Sequence, residues 1–228
     1  MLNVLNNAVP VSCWACSVSH NDSTLFCPHC SKIQPPPGGD YFSVFGMEPH
    51  LELDGELLER EFHRLSRRLH PDRFARAADQ ERVWSLADTA LINDAYRTLK
   101  DPLRRTEYLL KLTGRKLDEG ASASRKQQTP PDLLEEFFEL NMQLEEMRMN
   151  AKMGEHDAQL TSELKAAKEK YTSLLSEVDS GLRAQWKLWD AGDEATREQA
   201  QNKMLALLDR RRFLANLVRD VNEVLGAA

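Results

Sequence analysis

The stretch Arg64-Leu-Ser-Arg67-Arg68-Leu-His70-Pro71-Asp72-Arg73-Phe74 decides how this chain is read. Upstream of it, Leu58, Phe62, Leu65 and Leu69 recur at helical spacing after Asp54, a good N-cap, so a helix is expected over 56–69. Pro71 ends that helix, because proline has no amide hydrogen to continue the ladder. The turn that follows is rigid and basic, with Arg64, Arg67, Arg68, Arg73 and Arg76 set around a single acid, Asp72. Alone, His-Pro-Asp is a three-residue string that any proline-terminated helix could contain. Its place between two amphipathic helices makes it specific.

The neighbouring elements extend this pattern over residues 40–112. Asp40 can cap a short helix carrying Tyr41, Val44 and Phe45. A third helix, about 80–100, is expected to bury Val83, Leu86, Ala87, Ala90, Tyr96 and Leu99. Asp101-Pro102 supplies an N-cap followed by a first-turn proline, opening a fourth helix through Tyr108, Leu109 and Leu112.

Towards the N-terminus, Cys13-Trp-Ala-Cys16 and Cys27-Pro-His-Cys30 contain all four cysteines of the 228 residues. A disulfide framework would spread along the chain, whereas this clustering points to one metal site in a reducing compartment. Each two-residue gap lets two thiolates reach one ion from a tight turn, so a structural zinc on Cys13, Cys16, Cys27 and Cys30 is expected. Four cysteines leave no open position for catalytic zinc. A thioredoxin-like dithiol would need a βαβ pattern, which neither pair has. His20 and His29 are spare ligands at best. With few apolar residues here, metal binding must supply the folding free energy. Gln34 to Gly39 reads as a linker, expected to isolate this module from the helices that follow.

Beyond a polar linker over 114–130, the chain is helical to its end. Leu133, Phe137, Leu140, Leu144 and Met147 make one core stripe. Leu134, Phe138, Met142 and Met149 make a second, flanked by Glu135, Glu139 and Glu146, which is either extra core or a groove for a partner. A middle helix carries Leu160, Leu164, Tyr171, Val178, Leu182, Trp186 and Trp189 at core spacing, and Gly192-Asp193 gives its stop and the next cap. In the last helix Met204, Leu208, Ala215, Val218, Asn222 and Leu225 share a face, and Phe213 points about 180° from Met204, a contact candidate after three arginines.

Composition bounds the function. A net charge of −6 argues against a nucleic-acid footprint, and no apolar run approaches the roughly 20 residues of a membrane span. Met1 to Ser12 has no Lys or Arg and reads as neither a secretory signal nor a presequence. His70 has no nucleophile to activate, so no enzyme is expected. The architecture expected is all-α: a zinc module over 12–33, a four-helix domain over 40–113, and a three-helix antiparallel bundle over 131–228.

Tyr41-Phe42-x-Val44-Phe45-Gly46, His70-Pro71-Asp72-Arg73-Phe74, Ile92-Asn93-x-Ala95-Tyr96-x-x-Leu99 and Asp101-Pro102-x-x-Arg105 together resemble a J-domain. The continuation Arg105-Thr-Glu-Tyr108-Leu-Leu and the helical tail resemble the HscB family, J-type co-chaperones of iron–sulfur cluster assembly. The cysteine module resembles the extension on metazoan members, which shorter bacterial members lack. The resemblance implies that His70, Pro71 and Asp72 engage a DnaK/HscA-type chaperone and stimulate its ATPase, and the charges of Arg64, Arg67, Arg68 and Arg73 beside the turn are expected to meet an acidic surface of that partner. It further implies that Leu134, Phe138, Glu139, Met142, Glu146 and Phe213 hold an IscU-type cluster scaffold. A general J-protein with another client, a dithiol oxidoreductase and a zinc-nucleated coiled-coil adaptor are the rivals, and a homodimer is left open. The compartment implied is the bacterial cytosol, or the mitochondrial matrix if the source is eukaryotic and a presequence is absent from this chain.

Overall fold

The computed structural model describes residues 10–21, 24–115 and 130–227. The expectations placed on residues 1–9 and on most of the 114–130 linker lie outside these. The described residues fall into two compact units, divided within the 114–130 stretch.

In the first unit, β1 (Pro10–Ser12) and β2 (Ser19–Asn21) form an antiparallel hairpin with Pro10 opposite Asn21 and Ser12 opposite Ser19. A single bridge joins Phe26 to Ile33. Four helices follow: α1 (Tyr41–Val44), α2 (Gly55–Leu69), α3 (Asp79–Lys100) and α4 (Pro102–Leu112), with a 3₁₀ turn over Pro71–Phe74 between α2 and α3. Three carboxylates start helices by accepting two backbone amides each: Asp40 for α1, Asp54 for α2 and Asp101 for α4. Phe62 stacks on Tyr96 near one end and the Leu69 carbonyl meets Ser85 at the other, so α2 and α3 run antiparallel. Phe42, Leu58, Leu65, Leu69, Ile92, Leu99, Leu109 and Leu110 fill the space between the helices. Arg105, itself buried, donates to the carbonyls of Leu51 and Leu99 and so ties α4 to the loop between α1 and α2 and to the last turn of α3.

Two expectations for this unit are overturned. Val83, Leu86, Ala87 and Ala90 are exposed, and the inward face of α3 is Glu81, Ser85, Asp88, Ile92, Ala95 and Leu99. The polar members turn inward because they find partners there: the Ser85 hydroxyl donates to the Leu69 carbonyl at 2.6 Å, and Glu81 meets Lys32 at 2.9 Å. Asp88 alone gains nothing, since neither carboxylate oxygen has a hydrogen-bond partner among the described residues. Burial pushes its pKa up to about 7. Nor is the cysteine module isolated. Gln34, expected in the linker, is 3% exposed and belongs to the module. The module also packs on the helices: Trp14 meets Trp84 edge-on at 5.7 Å, the Arg68 guanidinium lies 3.9 Å over the Phe26 ring, and Lys32 pairs with Glu81.

The second unit is a three-helix bundle. A 3₁₀ turn over Pro131–Leu133 leads into α5 (Leu134–Met153), followed by α6 (Ala158–Ala191) and α7 (Glu194–Ala227). Short connections make neighbours antiparallel. Gly154, left-handed at φ 71°, closes α5, and Asp157 and Asp193 cap α6 and α7. Leu133, Leu140, Leu144 and Met147 are buried, as are Leu160, Leu164, Tyr171, Val178, Leu182 and Trp189. The last helix departs from expectation. Its buried residues run Ala200, Met204 and Leu208, then shift to Phe213, Leu214, Leu217, Val221 and Val224, leaving Asn222 exposed. Phe213 is 4% exposed and lies against Phe137 at 5.6 Å, not on a free face. Helical arithmetic placed it opposite Met204 correctly; α7 is covered on that side as well, by α5.

Candidate functional site

At the end of α2 the backbone of the His-Pro-Asp turn is held from behind. The Ser85 hydroxyl on α3 donates to the Leu69 carbonyl, which has no helical partner of its own, and the Thr89 hydroxyl, whose hydrogen goes to the Ser85 carbonyl at 2.7 Å, lies 3.4 Å from the same oxygen. His70 then leaves the helix in an extended conformation, and its Nδ1 accepts the Asp72 amide at 3.3 Å, which puts the ring proton on Nε2. The Arg73 amide returns to the His70 carbonyl at 2.9 Å. The Asp72 side chain is 90% exposed, and the contact its carboxylate makes among the described residues is with the imidazole, Oδ2 lying 3.5 Å from His70 Nδ1.

The arginines divide. Arg67 and Arg73 are exposed, and Arg64 is exposed but leans on Glu61 at 2.6 Å. Arg68 departs from the expected basic face, since its guanidinium is covered by Phe26; burial, then the charges of Arg64 and Arg73, lower its pKa. His70, Pro71, Asp72, Arg64, Arg67 and Arg73 thus lie on the end of α2 and the turn after it, where the cysteine module touches Arg68.

In that module the four thiols converge. All four sulfurs lie within 4.8 Å of one another, with Cys13–Cys30 at 3.6 Å and Cys16–Cys27 at 3.7 Å. A tetrahedron with metal–sulfur bonds of about 2.3 Å has edges of about 3.8 Å. The donor set thus fits a metal ion. Without a cation the thiols cannot ionise together. Burial opposes ionisation of Cys13, but the amides of Ala15 and Cys16 and the thiols of Cys30 and Cys16 overcome it and bring its pKa down to about 6. At Cys16 the Val18 amide favours the thiolate, yet burial and the three other thiols push the pKa up to about 12. A divalent ion removes that conflict.

On the second unit the expected second stripe of α5 lies open. Leu134, Phe138 and Met142 are exposed, Phe138 at 60% and Met142 at 68%, with Glu139 and Glu146 exposed beside them. Met149 and Met153 continue the stripe to the end of the helix. Met153 was missed by the sequence reading, although its spacing of four from Met149 carried the signal. Phe213 does not join this surface. Trp14, Trp84 and Gln34 are the other residues whose roles were missed. No helix among the described residues is long and apolar enough to cross a membrane.

Comparison with known proteins gives a consistent family. No family model matches the sequence. The co-chaperone protein HscB homolog of Vibrio cholerae is 46% identical over 108 residues, covering 46% of this chain and 60% of that relative's length. The iron-sulfur cluster co-chaperone protein HscB of Mus musculus is 32% identical over 176 residues, covering 75% of this chain and 74% of the mouse protein. Among solved structures, the chaperone HscB from Vibrio cholerae superposes with a TM-score of 0.56 at 32% identity, over 81% of this chain and 96% of that one. The human co-chaperone protein HscB gives 0.60 at 25% identity, over 93% and 98%.

Proposed function

Since the chain belongs to the HscB co-chaperone family, whose members are co-chaperones and not enzymes, we propose that it links two partners in iron–sulfur cluster assembly. It carries an IscU-type scaffold on the bundle, delivers it to a DnaK/HscA-type ATPase, and triggers hydrolysis through His70, Pro71 and Asp72. The observation that carries this reading is the exposed Asp72 carboxylate on a turn held from behind by the Ser85 hydroxyl. Arg64, Arg67 and Arg73 supply steering and register toward an acidic partner surface, with Arg68 contributing less because Phe26 covers it. The scaffold surface is Leu134, Phe138, Glu139, Met142 and Glu146, extended by Met149 and Met153; unbranched methionines suit a surface that must adapt to its partner. Zinc on Cys13, Cys16, Cys27 and Cys30 serves structure alone, as four thiolates leave no open coordination position. The setting is the bacterial cytosol or the mitochondrial matrix.

The test is steady-state ATPase of a DnaK/HscA-type chaperone, titrated with the full chain, with and without an IscU-type scaffold. Stimulation that rises synergistically with scaffold supports the reading. Stimulation indifferent to scaffold favours a general J-protein with another client.

A further inference from the structure

Gln34 stands at the edge of a proline-glycine linker, yet its side chain is one of the most enclosed polar groups in the first unit. Its amide nitrogen donates to the Lys32 carbonyl at 2.8 Å and to the Ile33 carbonyl at 3.1 Å. Carbonyl oxygens only accept, so these two contacts fix which end of the amide is nitrogen. The same nitrogen lies 3.5 Å from the Cys13 sulfur, so of its two hydrogens one serves the Lys32 carbonyl and the other is shared between the Ile33 carbonyl and that sulfur. The amide oxygen, turned the other way, faces His20 Nε2 at 3.2 Å. That oxygen must accept, so His20 carries its proton on Nε2, and its Nδ1 accepts from the Thr24 hydroxyl at 2.8 Å. Lys32's carbonyl also accepts the Cys27 amide at 2.9 Å. One side chain thus touches a sulfur of the first cysteine pair and a carbonyl that orders the second.

We propose that Gln34 is a positioning residue of the metal centre: it donates an N–H···S hydrogen bond to the Cys13 thiolate, is oriented by His20 and Thr24, and sets how tightly the four-cysteine site holds its ion. The inference rests on the reading of that site as metal-binding. Thiolate charge is the property at stake. Four thiolates on one divalent ion leave a net charge of −2 in a buried place, and each N–H aimed at sulfur disperses part of it. Backbone amides serve Cys13 already, through Ala15 at 3.4 Å. Gln34 adds a donor from outside the knuckle that a linker residue would not supply. Outer-shell partners of this kind typically change metal affinity by about 10–100-fold when removed.

The experiment uses the full chain and two probes, zinc(II) in competition with a chromophoric chelator and cobalt(II) followed by its thiolate charge-transfer absorption. Gln34→Met keeps the volume and removes the donor. Gln34→Glu keeps an oxygen for His20 but sets an anion beside the sulfur. The expected result is about a tenfold loss of zinc affinity for Gln34→Met and a larger loss for Gln34→Glu. The cobalt charge-transfer band should move to lower energy in both, because a thiolate with one fewer hydrogen bond gives up electron density more readily. A purely structural role for Gln34 would weaken binding without moving the band, and that result would overturn the proposal, as would unchanged affinity in both variants. Wild-type protein that takes up neither ion would instead refute the metal-site reading on which the inference stands.

Discussion

Removing the metal should loosen the helices of the first unit as well as the cysteine module. The structure gives three contacts by which that coupling acts. Arg68 over Phe26 is a half-buried cation–π contact of about 1 kcal/mol. Trp14 against Trp84 adds about 0.5–1.5 kcal/mol. Lys32 with Glu81 adds at most about 1 kcal/mol, because the lysine end is half exposed. Ordering a tethered module costs part of this, leaving about 1–2 kcal/mol net. That is a factor of about 5–30 in an opening equilibrium. Hydrogen exchange at the amides of α2 and α3, measured on the full chain before and after chelation, reads the factor directly. The same chelation in an Arg68→Met, Trp84→Ala background should change exchange far less, since the contacts through which the module acts are already gone. Chelation that unfolds the module while α2 and α3 exchange as before would refute the docking. So would an equal effect in the double variant.

Three other expectations follow from particular residues. Phe138→Ala should weaken scaffold binding at least about tenfold with bundle stability nearly unchanged, whereas Phe213→Ala should cost about 3–5 kcal/mol of bundle stability in urea unfolding; a Phe138 variant that unfolds the bundle would remove the open stripe. At Gly192→Ala the new Cβ would sit 2.5 Å from the Leu188 carbonyl oxygen and 2.7 Å from the Thr196 methyl, so a loss of about 1–3 kcal/mol is expected, and an unchanged urea midpoint would contradict it. Asp88 holds its proton in the folded state up to about pH 7 while the unfolded chain releases it near pH 4, so its contribution to stability should be full below about pH 4 and be lost as pH rises to 7. Asp88→Asn should remove that slope, measured as urea midpoint against pH, and parallel profiles for the two proteins would contradict the assignment.

What the sequence made legible was local chemistry. Asp40, Asp54, Asp101 and Asp193 cap their helices because a short carboxylate reaches amides two or three residues on, a fact that needs no tertiary structure. The cysteine pairs converge for a similar reason, since each pair is fixed by its own turn. The open stripe of α5 was legible because a helix packed on one side needs only one apolar face. The misses all depend on partners distant in the chain. Ser85 and Glu81 turn inward toward Leu69 and Lys32, leaving Val83 and Leu86 outside, and no periodicity within α3 announces those partners. Phe213 was placed outside because the arithmetic assumed one neighbour for α7, when Phe137 of α5 meets it on the other side. Gln34 was hidden by the prolines that follow it.

The central claim is that an exposed turn acts on an ATPase, and Asp72 tests it most directly. Asp72→Asn keeps the side chain's size, removes its charge, and among the contacts inside the fold alters an exposed one, with His70. Hydrolysis by a DnaK/HscA-type chaperone should be measured with saturating wild-type or Asp72→Asn protein and scaffold present. The variant should bind scaffold as the wild type does and leave hydrolysis at the chaperone's basal rate. Stimulation equal to that of the wild type would contradict the account.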